Sequence, residues 1–170
     1  MLQPQIVEKP ALTVVGLEAA FISGLSAEST AAAVIPPLWE AFGPRATQVP
    51  NRFGRDMFGV IDGRPKAQRT HPDELQYIAG VQVEGSGELP DGMVSHTVPT
   101  GTFAVFTHRG PIQNLRTTIQ EIYRVWLPQS AYQHAQIADI ELYDRRFDCN
   151  RADSALEYWI SVIPKVPAGP

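Results

Sequence analysis

The sequence predicts an α+β protein in which antiparallel strands form a sheet with helices packed on one face. Several segments alternate apolar and polar residues, as β-strands do, and another carries apolar residues at helical spacing. In addition, four segments of the first half recur in the same order in the second half. The matching segments are 10–15 with 99–104, 35–42 with 119–126, 56–62 with 138–144, and 74–83 with 155–164.

This internal repeat predicts the domain organisation. Each half follows the order strand, helix, strand, strand, so the chain is interpreted as a pseudo-two-fold tandem repeat of two βαββ modules. The first module covers about 1–90 and the second about 91–170, within one domain over 1–170. A chain of 170 residues is long enough to bury a core without disulfides. We expect a ligand cleft between the two modules.

The helix of the second half is the clearer of the two. Its apolar stripe consists of Leu115, Ile119, Ile122, Tyr123 and Trp126. Pro128 is expected to end this helix. In the first half, Pro36 and Pro37 fit best in a first helical turn, which predicts a helix over 36–42 and a separate turn over 29–34. Loops are predicted at 51–55, 63–72, 85–92 and 145–154.

Alternation along the last two strands brings acidic and aromatic side chains together. The aliphatic residues of both strands are expected to join the helix core, since side chains alternate across a strand. Glu157 and Trp159 then point to the opposite face, as do Glu141 and Tyr143 in the preceding strand. Sequential strands pair antiparallel by default. The sequence therefore predicts that these four residues form one patch.

The first half supplies neutral counterparts to this patch. In the repeat, Gly59 stands in the place of Glu141, and Ile78 in the place of Trp159. A cleft that is acidic on one side and apolar on the other suits a flat organic cation, because aromatic faces add a cation–π attraction of ~0.5–2 kcal/mol. The alternative stays open that each glutamate is simply solvated, since strands with one wet face often carry Glu and Tyr there.

Composition argues against several classes of function. The net charge of −4 and the lack of a basic stripe argue against direct binding of nucleic acid. Cys149 is the one cysteine, and four scattered histidines lack metal-ligand spacing, so neither a metal nor another cofactor is predicted. No nucleophile motif is present, and no catalytic residue is assigned. Without an apolar run or a leader-like start, the chain is expected in the cytoplasm and not in a membrane.

The chain resembles the GyrI-like small-molecule-binding domains, which also serve as effector-binding domains of AraC/XylS-type and multidrug-sensing transcription regulators. The segments that carry the resemblance are 98–106, 109–115, 140–143 and 156–164. The resemblance implies two βαββ modules around a central cleft, with the cation-contacting charge at Glu141 and Glu157. It also implies Tyr143 and Trp159 as aromatic neighbours, and Trp39 at the end of the cleft. The DNA-binding domain of those regulators is not found, which suggests an effector domain that acts alone.

Three functions follow from this interpretation. The first is binding of amphipathic, cationic, drug-like organic compounds. The second is a small hydrolase in which a glutamate of raised pKa acts as the general base and Tyr143 as a donor. The third is a protein-binding inhibitor, such as a gyrase-inhibitory protein. Uncovered strand edges make a homodimer reasonable, and a separate regulatory protein is the other partner considered.

Overall fold

The computed structural model describes residues 2–85 and 87–166. The strands are β1 (Gln5–Lys9), β2 (Leu12–Ile22), β3 (Arg52–Gly63), β4 (Glu74–Val83), β5 (Val94–Val98), β6 (Gly101–Arg109), β7 (Tyr132–His134), β8 (Asp139–Tyr143) and β9 (Ala155–Pro164). The α-helices are α1 (Ala31–Phe42), α2 (Leu115–Glu121) and α3 (Leu127–Gln129). Short 3-10 helices cover Gly43–Gln48, Lys66–Gln68 and Ile112–Asn114, and a π-helical turn over Ile122–Trp126 joins α2 to α3.

The strands form an antiparallel sheet in the order β1-β6-β9-β8-β3-β4-β2-β5, with β7 paired to the end of β9. Strands of the first and second halves of the chain meet in the middle, where β3 pairs with β8. The helices of both halves pack into the same hydrophobic core. The predicted α+β class and the antiparallel sheet with its helices are therefore confirmed. The relation of the two halves as repeats of one module remains a prediction.

Both faces of the central strands are buried, which a curled sheet makes possible. On the helix face, Phe106, Tyr158 and Ile160 pack with Phe42 and Trp126 of the helical segments. The opposite face has a hydrophobic cluster of its own. Its members include Val14, Phe58, Val60, Ile78, Phe103, Ile140 and Trp159. Aliphatic side chains consequently occur on both faces of a strand such as β8, and they do not mark the helix side.

Helix α1 differs from the prediction because it begins at Ala31 and continues through both prolines. Pro36 and Pro37 remove two N–H donors, which leaves the carbonyl groups of Ala32 and Ala33 without their helical partners. All four residues are exposed, so water can bond to these carbonyl groups. The predicted separate turn over 29–34 is therefore wrong, and one helix covers most of that segment.

The helical segment of the second half, from Leu115 to Gln129, agrees better with its prediction than α1 does. Leu115, Ile122 and Trp126 are buried, as the stripe predicts. Pro128 lies inside the last helical turn and the helix ends one residue later, because a proline is tolerated near the start of the short α3. The π-helical turn over Ile122–Trp126 interrupts the α-helix, a feature that the 3.6-residue spacing does not predict.

The predicted loops are confirmed in part. The segment 145–154 joins β8 to β9 without helix or strand. The segment 51–55 is not a loop, because β3 begins at Arg52. The pairing of β3 with β4 is irregular between Arg52 and Met57, as at a β-bulge. The segment 63–72 contains the 3-10 helix Lys66–Gln68. The predicted loop 85–92 includes residue 86, which lies outside the described residues. None of the described helices is long and apolar enough to cross a membrane.

Candidate functional site

A buried carboxylate occupies the middle of the sheet, on the helix face. Glu141 of β8 lies opposite Gly59 of β3 and is only 4% exposed. Its Oε2 atom accepts hydrogen bonds from the hydroxyl groups of Tyr77, at 2.5 Å, and Tyr143, at 2.6 Å. The indole N–H of Trp39 on α1 donates to the Tyr77 hydroxyl at 2.9 Å. These five residues form what we call the tyrosine–glutamate cluster.

Gly59 provides the space for this cluster. A Cβ atom at position 59 would lie 2.2 Å from the Tyr77 hydroxyl oxygen and 2.8 Å from Oε2 of Glu141. Both distances are shorter than real Cβ contacts. The absence of a side chain on the central strand thus allows the tyrosine from β4 to reach across β3 to the glutamate on β8.

The environment of Glu141 disfavours its charge. Burial raises the pKa of this carboxyl group above its usual range, and nearby Asp139 raises the pKa further. The hydrogen bonds from Tyr143 and Tyr77 lower the pKa, but burial has the largest effect. Within residues 2–85 and 87–166, no lysine, arginine or histidine forms an ion pair with this carboxylate. A buried negative charge without a cationic partner is costly.

A second buried carboxylate lies two residues before Glu141 on the same face of β8. Asp139 is 6% exposed and accepts hydrogen bonds from the hydroxyl groups of Tyr123 and Tyr158, the latter at 3.1 Å. His134 Nε2 lies 2.9 Å from Oδ1 of Asp139. Residues two apart on a strand lie about 7 Å apart. The helix face therefore carries two neighbouring carboxylates, each held by two tyrosines.

An open groove of about 530 Å³ leads to Asp139. Tyr123, His134 and Asp139 form its polar side, and Ile61 and Leu75 are among its apolar lining. A concave volume of this size is in the range of small-molecule sites. Glu141 does not line this groove, because the two tyrosines and Trp39 surround its carboxylate.

The prediction of one shared acidic patch is wrong. Ile140 pairs with Trp159, and Leu142 pairs with Glu157. Directly paired residues lie on the same face, so Glu157 and Trp159 share the face opposite Glu141. Tyr143, two residues after Glu141, stays with it on the helix face. The error has a physical cause: the aliphatic residues of β8 were assigned to the helix core, whereas they pack on the other buried face.

The remaining predicted residues divide between the two faces. Trp39 and Gly59 join Glu141 and Tyr143 in the tyrosine–glutamate cluster. Ile78 packs in the opposite hydrophobic cluster together with Trp159.

On the opposite face, the chain supplies its own cations. The ammonium group of Lys9 lies 4.1 Å from the centre of the Trp159 ring. Glu157 accepts a hydrogen bond from the indole N–H of Trp159 at 2.8 Å and pairs with Arg146 at 2.7 Å. The aromatic surface and carboxylate that the sequence offers to a ligand are thus already engaged within the protein.

The sequence analysis did not assign several residues that belong to the site. Tyr77, Tyr123, Tyr158 and Asp139 donate or accept the hydrogen bonds described above. Alternation does place Asp139 on the same face as Glu141, so the pair could have been noticed. The tyrosines lie on other elements, and only the strand order brings them together. Among the described residues, no group of three or more His, Cys, Asp or Glu residues is arranged to hold a metal ion.

Comparison with known proteins identifies the family. The model of the GyrI-like small molecule binding domain matches residues 2–163, and the chain belongs to this family. The transcriptional regulator BrlR of Pseudomonas aeruginosa is 33% identical over 144 residues, which cover 84% of this chain and 48% of BrlR. The chain therefore spans about half the length of this curated relative.

Solved structures share the fold at low sequence identity. SAV2435 bound to tetraphenylphosphonium superimposes with a TM-score of 0.74 at 15% identity, over 95% of this chain and 94% of SAV2435. EcmrR in a complex with DNA gives a TM-score of 0.64 at 15% identity, over 96% of this chain and 58% of EcmrR. These similarities establish that the GyrI-like architecture is common to the three chains.

Replacing Glu141 by glutamine should stabilise the protein at neutral pH. Because burial raises the pKa of Glu141, the folded wild-type protein loses stability as the pH rises from the ordinary glutamate value through the raised value. The Glu141→Gln variant lacks this loss. We expect its thermal midpoint at pH 7 to rise by about 2–4 °C, the equivalent of ~1 kcal/mol for a chain of this length. The gain should shrink as the pH falls towards the ordinary glutamate value.

The matched control for this experiment is Glu18→Gln. Glu18 is exposed on β2 and makes no ion pair within the described part of the chain. Its thermal midpoint at pH 7 should stay close to the wild-type value, because the side chain is exposed. If Glu141→Gln is less stable than the wild type at pH 7, the hydrogen bonds from the tyrosines outweigh the cost of burying the charged carboxylate, and the prediction is wrong.

Replacing Gly59 by alanine should destabilise the fold, because the new Cβ overlaps Tyr77 and Glu141. Overpacking of this kind costs about 1–3 kcal/mol. The control is Gly63→Ala on the same strand, where the nearest atom to a Cβ is Nη2 of Arg69 at 3.6 Å, an ordinary contact. Urea denaturation measures both free energies of unfolding. Equal losses in the two variants would contradict the close approach at position 59.

Proposed function

We propose that this domain binds an amphipathic organic cation on the helix face, with Glu141 as the charge partner. The supporting observation is the state of its carboxylate, which is buried, hydrogen-bonded by Tyr77 and Tyr143, and free of any ion pair within the described residues. A cationic ligand offsets the cost of that charge, since an opposite charge nearby favours the ionised carboxylate.

Aromatic rings around Glu141 suit the apolar body of such a ligand. Tyr143 makes edge contacts with Trp39, with ring centroids 5.2 Å apart, and with Phe147 at 4.7 Å. Trp39 also packs against Tyr77. Rings that meet edge to face expose π surfaces to a flat or propeller-shaped cation, and each cation–π contact contributes ~0.5–2 kcal/mol.

Access to Glu141 requires movement of Trp39. The indole ring lies against both tyrosines and donates to Tyr77. In helix α1, which carries Trp39, only Phe42 is fully buried, whereas Val34, Ile35, Leu38 and Trp39 are partly buried against the core. Segments whose side chains are mostly only partly buried open at a lower free-energy cost than the core does. We therefore assign α1 the role of a movable cover over the cluster.

The neighbouring groove provides the approach. Asp139 lines it, and its carboxylate lies on the same face as that of Glu141. A cation that enters this groove first meets the Asp139 carboxylate, whose Oδ1 lies 2.9 Å from His134 Nε2. It then meets Glu141, which has no ion-pair partner among the described residues. The apolar lining from Ile61 and Leu75 accommodates the hydrophobic part of the ligand.

The relatives support this proposal. The SAV2435 structure, which shares the fold, contains tetraphenylphosphonium, a cation with four apolar rings. BrlR, which shares 33% of the aligned residues, is a transcriptional regulator. We infer that this domain senses its ligand for a process of transcription control, with the contact to DNA made by a different segment or a separate protein. Such a role would be exercised in the cytoplasm.

A hydrolase is the second candidate, and one observation favours it. Glu141 has a raised pKa and lies 2.6 Å from the hydroxyl group of Tyr143, an arrangement in which a carboxylate can accept a proton from water while the tyrosine donates to the substrate. Recovery of the bound compound distinguishes the two functions. A binding domain returns it unchanged, whereas a hydrolase accumulates product over time.

A titration with tetraphenylphosphonium and with neutral triphenylphosphine oxide tests the charge preference. Wild type should prefer the cation. Glu141→Gln should weaken cation binding by about 10- to 150-fold, since a lost interaction with a charged group costs ~1.5–3 kcal/mol. The neutral compound should bind equally to both proteins. Isothermal titration calorimetry measures all four affinities.

The matched control is Glu157→Gln, which removes the same charge from the opposite face, where Arg146 already neutralises it. Cation affinity should stay at the wild-type value. If Glu157→Gln loses affinity and Glu141→Gln does not, the site lies on the other face. If wild type binds the neutral compound as tightly as the cation, the proposed charge preference is wrong.

Tryptophan fluorescence should locate the ligand. Trp39 contacts both tyrosines of the cluster, so cation binding should change its emission. The Trp39→Phe variant should lose most of this change, and Trp159→Phe should retain it because Trp159 lies on the opposite face. A response that survives Trp39→Phe but disappears in Trp159→Phe would contradict the proposed position.

A further inference from the structure

A second groove, of about 580 Å³, lies at the loop between β8 and β9 and does not include the tyrosine–glutamate cluster. Its charged lining consists of four arginines and two aspartates: Arg109, Arg145, Arg146, Arg151, Asp148 and Asp153. We call it the arginine groove. Asp144 and Glu157, which both pair with Arg146, bring the carboxylates in and beside the groove to four, equal to the number of arginines.

Two of the arginines are held in place by carboxylates. Arg146 donates from Nε and Nη2 to the carboxylate of Asp144 and from Nη2 to Glu157 at 2.7 Å. Arg151 donates to Asp153 at 2.6 and 2.8 Å. These pairs neutralise part of the groove and restrict the guanidinium groups to defined positions.

The other two arginines have no such partner. Within residues 2–85 and 87–166, neither Arg109, at the end of β6, nor Arg145, just after β8, makes a side-chain hydrogen bond or an ion pair. A guanidinium group offers five N–H donors in a planar fork that matches phosphate and carboxylate oxygens. Two unengaged forks on one concave surface are therefore suited to an anion with several acceptor oxygens.

We propose that the arginine groove binds a small molecule that carries phosphate groups, with Arg109 and Arg145 as the main donors. Its volume lies within the range of small-ligand sites. A phosphate group offers several acceptor oxygens, enough to accept hydrogen bonds from both guanidinium groups at once. A long nucleic acid fits less well, because the net charge of −4 repels a polyanion that extends beyond the groove.

Calorimetry with inorganic pyrophosphate at low salt, on the full chain, tests this proposal. Wild type should bind it with a dissociation constant in the micromolar range. Arg109→Ala and Arg145→Ala should each weaken binding by about tenfold or more, as expected for a lost charge-assisted hydrogen bond. Arg145→Lys keeps the charge but loses the fork and should give an intermediate affinity.

The matched control is Arg55→Ala, which removes an exposed arginine of β3 that does not line the groove. It should bind pyrophosphate like the wild type. Equal weakening by Arg55→Ala and Arg145→Ala would show that pyrophosphate responds only to the overall charge, and would overturn the proposal. Absence of binding to wild type at millimolar pyrophosphate would overturn it as well.

Two further ligands identify the source of the phosphate. A nucleoside diphosphate that binds as tightly as pyrophosphate, with the same loss in Arg145→Ala, supports a phosphorylated metabolite. Duplex DNA that binds wild type and loses affinity in Arg145→Ala, while pyrophosphate does not bind, would contradict the small-molecule assignment. Thermal midpoints of all variants should match the wild type, since the side chains of Arg55, Arg109 and Arg145 are exposed.

Discussion

The Glu141 carboxylate, buried at the junction of the two halves of the sheet, is the interaction on which the rest of the site depends. Its position requires donors, and Tyr77 and Tyr143 provide them. The reach of Tyr77 across β3 in turn requires glycine at position 59. Trp39 then completes the enclosure from α1. What the fold does not provide, among its described residues, is a positive charge. Under the proposed function, an incoming cation is the group that relieves this cost.

The two buried faces of the sheet place Glu141 and Glu157 in different electrostatic environments. On the face opposite the helices, Glu157 is paired with Arg146 and bonded to Trp159, whose ring holds the ammonium group of Lys9. On that face, the charged groups of Glu157, Arg146 and Lys9 all interact with partners within the protein. On the helix face, Glu141 receives only neutral donors. The two glutamates therefore differ in charge compensation, and under the proposed function this difference marks Glu141 as the residue that binds the ligand.

Much of this organisation follows from the sequence. The alternation of apolar and polar residues located the main strands. Glu141, Tyr143, Trp39 and Gly59, which the sequence analysis selected as candidate site residues, lie together in the tyrosine–glutamate cluster. The face of the sheet on which Glu141 lies was predicted wrongly. Strand β8 is buried on both faces, so its aliphatic residues do not indicate which face meets the helices. The contribution of Tyr77 depends on a strand order that pairs β4 with β3 and β3 with β8, information that no local pattern contains.

The most direct test of the role of Glu141 is the number of protons released when tetraphenylphosphonium binds. Calorimetry in two buffers of different ionisation enthalpy measures this number. Since burial raises the pKa of Glu141, part of the protein is protonated there below the raised value, and a bound cation favours the ionised form. The account predicts proton release that fades at higher pH and is absent in Glu141→Gln. Cation binding without proton release in wild type across the acidic range, or unchanged release in Glu141→Gln, would contradict it.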